Sequence, residues 1–283
     1  MSLYNIKKIL VPVDLSEISL NALDTAVALA KKHNAVVQVL NVIEIKPGSF
    51  EDSGFQSNNY LTNSSDVLTA LAGAIQHAND IKPILLQEEG NVTDTIIKTS
   101  LQQHSDVIVM GTHGASGYRD GFIGTNTYSV IKNSSCPVLT VPPKRKYLSF
   151  KKILFPIRPV SGALIRYDVV CHFISPQSLI NVLGLSYRSM ERETNVLDKI
   201  IDEIKDKLEM DNVKANAIWN SGNSIADDVL LESQQTAAEL IVITSVLDVT
   251  TKPNFIGPHT QKILHCSKVP VLNIKKLSVP MLA

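Results

Sequence analysis

Two patterns of apolar and polar positions recur along the chain, short apolar runs and longer stretches with helical spacing. The run KKILVPVD at residues 7–14 has the continuous apolar character of a buried parallel strand. Ser16 can cap a following helix, whose apolar positions share one face: Ala22, Leu23, Ala26, Val27 and Ala30. Further strand patterns are AVVQVLNVI, KPILLQE, DVIVM and PVLTV, separated by helix patterns from about Asp66 to Asn79, in VTDTIIKTSLQQH and in NTYSVIKNS. This alternation predicts an α/β fold, with a parallel sheet covered by helices on both faces.

Two segments lack either pattern. Residues 43–65 are polar, contain glycine and have no periodicity, so we expect a long surface loop there. PPKRKYLS at residues 142–149 joins two prolines to basic and polar residues, which is typical of a short connector.

The pattern occurs twice in the chain. KKILVPVD returns as KKILFPIR at residues 151–158, and residues 106–141 align without a gap on residues 239–274. The second copy is shorter in its middle. A repeat of this length predicts two similar units, each a doubly wound parallel-sheet domain, with the connector between them. We therefore predict domains at residues 1–146 and 147–283.

A glycine-rich stretch, GTHGASGYRDGFIGTNT at residues 111–127, directly follows the strand DVIVM. Gly111 and Gly114 would let the loop fold tightly, and residues 124–126 would begin a helix whose unpaired amides favour an anion. In a parallel sheet the strand ends carrying Asp14, Val42 and Met110 would meet in one crevice beside this loop. The alternative interpretation is a flexible strand-to-helix connection without a ligand.

Composition narrows the classes of function. Lys plus Arg equals Asp plus Glu at 27 each, which gives no overall field for nucleic acid or an acidic membrane surface. No apolar run is long enough to span a membrane and no signal peptide is evident, so we expect a cytoplasmic protein. Three cysteines without a close pair fit a reducing compartment and support neither a disulfide framework nor a metal site.

VPVD near the start, together with the spacing of Gly111, Gly114, Gly124 and Thr125, resembles the ATP-binding pattern of the universal stress protein family. The chain as a whole resembles the tandem type, with two domains of the adenine nucleotide alpha hydrolase-like fold. The resemblance implies that phosphates rest on the glycine loop and that adenine lies near Asp14 and the end of the second strand. Carried over by position, it implies a site formed by Pro12, Val13, Asp14, Val42, Met110, Gly111, Thr112, His113, Gly114, Gly124, Thr125 and Asn126.

The second copy departs from this pattern at the informative positions. Arg158 stands where the first copy has Asp14, Thr244 replaces Gly111, Leu247 replaces Gly114 and Pro258 replaces Thr125. Side-chain bulk blocks a close backbone approach, and proline removes an amide donor. We therefore expect a second domain that has lost its site, with an anion site at Arg158 as the alternative.

Three functions stay open from the sequence. The first is an ATP-binding regulatory or stress-response protein, with or without magnesium; the second is a slow ATP hydrolase. The third is an interaction module without a ligand. Hydrolysis is expected to be slow or absent, because the loop has no P-loop lysine and no carboxylate pair for magnesium is evident.

The closing strands CPVLTVPP and VPVLNIKK would each be an exposed apolar edge in an isolated domain. Domains of the resembled family pair through that strand, which implies that the two copies pair with each other about a pseudo-twofold axis. A homodimer of the whole chain stays open as well.

Overall fold

The computed structural model describes residues 6–44, 56–113, 123–143, 150–159, 167–175, 177–186, 191–220, 224–244 and 256–274, with the backbone alone at residues 56–64, 168, 191–193 and 244. Ten strands and eight helices are described in this part of the chain. The strands are β1 (Lys8–Pro12), β2 (Val36–Glu44), β3 (Ile84–Gly90), β4 (Val107–Gly111), β5 (Val138–Val141), β6 (Lys152–Ile157), β7 (Leu179–Leu185), β8 (Lys214–Asn220), β9 (Leu240–Thr244) and β10 (Val271–Ile274). The helices are α1 (Glu17–His33), α2 (Gln56–Asn79), α3 (Val92–Gln102), α4 (Thr125–Asn133), α5 (Tyr167–Val170), α6 (Glu191–Met210), α7 (Ile225–Gln235) and α8 (Pro258–Cys266).

All ten strands form one sheet, in the order β3-β2-β1-β4-β5-β10-β9-β6-β7-β8. Neighbouring strands are parallel except at the centre, where β10 pairs antiparallel with β5. The predicted α/β class is therefore confirmed. Each half of the sheet repeats the same strand order, and the predicted contact between the two closing strands is present, with Leu272 opposite Leu139.

The inner strands form the core. Ile9 and Leu10 of β1 and Val107 and Ile108 of β4 are fully buried, as continuous apolar strands covered on both faces must be. Helix α1 buries the small face predicted for it, and its N-cap is Ser16, whose hydroxyl accepts the N–H of Ser19. Small side chains on that face let the helix approach the sheet closely.

One predicted element differs from the structure. Helix α2 begins at Gln56 rather than near Asp66, so part of the expected loop at residues 43–65 is helical. The rest of that loop, residues 45–55, lies outside the described residues. After β6, the described part of α5 is Tyr167–Val170, and residues 160–166 lie outside the described part of the chain.

Several local contacts occur at equivalent positions in both halves. The carboxylate of Asp106 accepts the backbone N–H groups of Lys7 and Lys8 at 2.7 and 2.8 Å, and Glu239 accepts that of Lys151 at 2.6 Å. Such repeated contacts support the proposed division into two domains. The boundary itself stays a prediction, because residues 144–149 lie outside the described part of the chain.

No helix in the described part of the chain combines the length and the apolar character that crossing a membrane requires. Cys136, Cys171 and Cys266 are free thiols.

Candidate functional site

A pocket of about 380 Å³ opens at the carboxyl ends of β1, β2 and β4. This volume lies within the range of about 300–1,000 Å³ that is common for small-molecule sites. The first turns of α3 and α4 form part of its wall, through Val92 and through Thr125 and Asn126. The pocket lies where strand order reverses between β1 and β4, the place at which open α/β sheets bind ligands.

The structure brings most of the predicted site residues together around this pocket. Those that line it are Pro12, Val13, Asp14, Val42, Met110, Gly111, His113, Gly124, Thr125 and Asn126. Thr112 does not line it; this residue is buried, and its hydroxyl lies 3.0 Å from Nδ1 of His113. Gly114 lies outside the described residues, and so do residues 115–122 of the glycine-rich stretch.

The floor of the pocket is fixed by hydrogen bonds between the ends of β1 and β2. The buried amide of Asn41 donates to the Val13 carbonyl at 2.9 Å, and the Val13 N–H donates to the Leu40 carbonyl at 2.8 Å. A buried amide that satisfies a strand-end carbonyl removes a group that would otherwise need water. These bonds hold the two strand ends in one register beneath the opening.

Asp14 begins a tight turn at the rim of the pocket. Its Oδ1 accepts the N–H of Ser16 at 3.0 Å and the Ser16 hydroxyl at 2.5 Å. Between them Leu15 has a φ of 62°, a left-handed conformation that a bulky residue rarely adopts. Asp14 thus supports the start of α1 and lines the pocket at the same time.

Two glycines permit close contacts that a side chain would prevent. A Cβ at Gly111 would lie 2.5 Å from Cγ2 of Ile18 in α1, and one at Gly124 would lie 3.1 Å from the Thr112 carbonyl oxygen. The Gly124 N–H donates to that same carbonyl at 3.1 Å, so Thr112 and Gly124, which flank the residues outside the described part, are held together. Gly111 is therefore explained by packing against α1 rather than by the expected folding of the loop alone.

The N-terminus of α4 offers backbone donors to the pocket. Its N-cap is Gly124, and no side-chain cap is present there. The first-turn amides of a helix have no intrahelical partner and carry a partial positive charge. The helix is anchored beside the strand because the Thr127 hydroxyl donates to the Gly111 carbonyl at 2.9 Å.

The charged side chains among the described lining residues are acidic. Asp14 and Glu44 stand at the rim, and no Lys or Arg lines the described part of the pocket. Asp14 and Glu44 could not be brought together from the sequence alone. Glu44 belongs to an ordinary strand pattern and lies far from Asp14 along the chain. Among the described residues no cluster of three or more His, Cys, Asp or Glu side chains could hold a metal ion.

Sequence reasoning missed several lining residues, namely Ser19, Leu40, Glu44, Val92, Ile96 and Thr127. Val92 and Ile96 had been assigned only to a helix pattern. Gly90 and Asn91, directly before that helix, were the available signal, since they follow a predicted strand that ends at the same edge of the sheet.

The equivalent helix start in the second half is built differently. Gly257 is again the N-cap, but Pro258 occupies the first helical position of α8 and supplies no N–H group. Pro159, after β6, occupies the position that corresponds to Leu15 after β1. Leu15 has a positive φ, which proline cannot adopt. Thr244 ends β9 in the place of Gly111, and Leu247 lies outside the described residues.

Comparisons with known proteins give a consistent result. The sequence profile of the universal stress protein family matches residues 5–142. A universal stress protein of Methanocaldococcus jannaschii is 31% identical over 144 residues, which are 50% of this chain and 84% of the relative. One from Synechocystis is 30% identical over 138 residues, 48% of this chain and 85% of the relative.

One solved structure is similar to nearly the whole chain. The crystal structure of a universal stress protein from Archaeoglobus fulgidus superposes with a TM-score of 0.76 at 19% identity, covering 96% of this chain and 98% of that one. The fold of both halves together thus has a solved counterpart.

Proposed function

Since the chain belongs to the universal stress protein family through residues 5–142, we propose that it is a regulatory protein that binds ATP in the pocket of its N-terminal half. The observation that carries the proposal is the start of α4, where backbone donors without a side-chain cap open onto a pocket at the switch point of the sheet. This arrangement suits a phosphate group.

The two ends of the pocket differ in chemistry in a way that suits an adenine nucleotide. Val42 and Met110 offer an apolar surface for a flat base, and methionine adapts well to such a ring. Gly124, Thr125 and Asn126 offer amide and side-chain donors for phosphate oxygens. We infer that adenine lies against Val42 and Met110, and that the phosphates lie toward the start of α4.

Magnesium would enter with the nucleotide. The described lining contains no Lys or Arg, so the charge of a triphosphate has to be balanced by backbone donors, by His113 or by a cation. The carboxylates of the described lining, Asp14 and Glu44, stand at the ends of β1 and β2 rather than at the start of α4, so such a cation would be held by phosphate oxygens and water.

We propose one nucleotide per chain and slow turnover at most. The second half has lost the amide donor at Pro258 and the turn that requires a positive φ before its first helix. In the first half Asp14 is engaged by the N–H and the hydroxyl of Ser16, which makes it a poor general base. A cytoplasmic location remains part of the proposal.

Thr125→Asp tests the phosphate end of the pocket. Thr125 is exposed at the first position of α4, where a carboxylate favours the helix but repels an anionic ligand. Titration calorimetry of the full chain with Mg-ATP is expected to give one site for the wild type. The variant is expected to bind at least about tenfold more weakly at an unchanged melting temperature.

Pro258→Asp is the matched control, because it places the same charge at the equivalent position of α8. Its Kd for ATP should equal that of the wild type. Two sites per chain would contradict the assignment to the first half, and no binding by folded protein would favour the interaction module. Many turnovers per second would make the protein an enzyme.

A further inference from the structure

A residue of the second half contacts the pocket of the first. The rings of His113 and His265 meet edge to face, with 5.9 Å between their centroids and 72° between their planes. His113 lines the pocket and is 4% exposed. His265 lies in the last turn of α8, far from His113 along the chain.

The central strand pairing explains how the two rings meet. Val271, at the start of β10, is opposite Thr140 near the end of β5, and the next residue of β5, Val141, pairs with Gly111 at the end of β4. The antiparallel arrangement thus brings the beginning of β10 to the carboxyl edge of the first half. Since α8 ends at Cys266, shortly before β10, its last turn lies at the same edge.

The repeat does not reproduce this contact on the other side. In the alignment of the two halves, Val246 corresponds to His113 and Lys132 corresponds to His265. Neither is an aromatic ring, so that pair cannot make an edge-to-face contact. The two histidines therefore occur only on the side where the glycine pattern and the pocket are kept.

We propose that His265 is a positioning residue for the nucleotide pocket, acting through the ring of His113. Thr112 engages Nδ1 of His113 through its hydroxyl, and the edge of a neighbouring ring limits rotation of the imidazole. Held in this way, His113 presents one orientation to the phosphate end of the pocket. The inference rests on the proposed binding of ATP, and it gives the second half a role in a site whose described lining comes from the first half.

A double-mutant cycle on the ATP affinity of the full chain tests this role. His265→Ala is expected to weaken binding about 3- to 10-fold, the range that corresponds to loss of one edge-to-face contact. His265→Phe keeps an aromatic edge and should retain affinity within about twofold. In a His113→Ala background, His265→Ala should have no further effect, because its influence passes through the missing ring.

Cys266→Ala is the control, since it changes the exposed neighbouring residue at the end of the same helix. Its affinity should match the wild type. If His265→Ala leaves the Kd unchanged, or weakens it equally with and without His113, the positioning role is wrong while the proposed function stands. Absence of ATP binding by the wild type overturns both.

Discussion

At the scale of residues, the turn after β1 shows how the two halves can differ through a single position. Leu15 holds a left-handed conformation between Asp14 and the N-cap Ser16, and this geometry directs α1 back across the sheet. Pro159 occupies the corresponding position after β6, and its ring fixes φ near −65°. The left-handed turn that precedes α1 therefore cannot form at the corresponding position of the second half.

A second contact between the halves lies at the C-terminal end of α1. The ring of His33, the last residue of that helix, lies 6.5 Å from the ring of His172 between their centroids. The neighbouring Lys32 donates from Nζ to the Ile174 carbonyl at 2.7 Å. Burial, then the charges of Lys32 and His172, lower the pKa of His33 from 6.5 to about 4, against a hydrogen bond to the His172 backbone.

This lowered pKa predicts a loss of stability in mild acid. Between about pH 6.5 and pH 4 the unfolded chain binds a proton at His33 that the folded chain does not, so stability is full above this window and falls as the pH drops through it. Because His33 is only half-buried, we expect a loss of about 1 kcal/mol rather than the full value of the shift. Urea unfolding at pH 7 and pH 4.5 measures it.

His33→Gln should show a smaller fall in the free energy of unfolding between these two pH values than the wild type. His77→Gln, at an exposed position of α2, is the matched control and should behave like the wild type. Equal pH dependence in all three proteins would contradict the role given to His33.

At the scale of elements, the pairing of β5 with β10 joins the two halves into one sheet. Leu139 and Leu272 are directly opposite and fully buried, and the Thr140 hydroxyl donates to the Val271 carbonyl at 3.2 Å. Substituting lysine for Val138 and Val271, which are both buried, would disturb the core of each half as well as the contact between them. Such a double variant would not test the strand pairing alone. A crosslink between opposite residues tests the register directly.

We predict that Leu139→Cys combined with Leu272→Cys forms a disulfide under mild oxidation, in a background where the three native cysteines are alanine. Directly opposite residues of antiparallel strands have Cα atoms about 4.5–5.5 Å apart, which suits a disulfide. Mass spectrometry of proteolytic fragments identifies the bridge.

Leu139→Cys with Val271→Cys is the control for register, because Val271 is opposite Thr140 and its side chain points to the other face of the sheet. This pair should stay reduced under the same conditions. A bridge in the control, or none in the test pair, would show that the strands are paired differently.

Helices could be predicted from the sequence where their pattern of residues is clear within a short stretch. The apolar face of α1 follows helical spacing, so Ala22, Ala26 and Ala30 could be placed from the sequence. The start of α2 could not, because residues 56–65 are rich in Asn, Ser and Thr, which favour turns and caps over helix interiors.

Contacts between elements were even harder to predict from the sequence. Glu44 and Ile96 reach the pocket only through the order of the strands, and nothing near His265 in sequence connects it with His113. The glycine loop was visible because a close backbone approach restricts residue type at each position, as Gly111 and Gly124 show.

At the scale of the whole molecule, a continuous sheet predicts cooperative unfolding. Trp219, the single tryptophan, is 55% exposed on the edge strand β8, at the opposite end of the sheet from the edge strand β3 of the first half. Its fluorescence therefore reports on the second half alone, whereas far-UV circular dichroism reports on both.

We expect the two urea transitions to coincide, and saturating Mg-ATP to raise both midpoints together, because a ligand of the folded state stabilises every part that unfolds with its site. His259→Ala, in the first turn of α8, is the control, because it leaves the pocket residues unchanged. Mg-ATP should raise its two midpoints as it does in the wild type. A fluorescence midpoint that ATP does not move, beside a dichroism curve with two steps, would show that the halves unfold separately.

The antiparallel pairing of β5 and β10 also has a consequence for how the two halves can evolve. In an assembly of identical subunits, each substitution appears on both sides of the symmetry axis at once. Here the two sides are encoded separately, so a change such as histidine at position 265 contacts His113 of the first half without altering Lys132 on the other side. Because both sides belong to one polypeptide, their ratio is fixed and dilution does not part them. Substitutions can thus accumulate on one side while the other keeps its pocket.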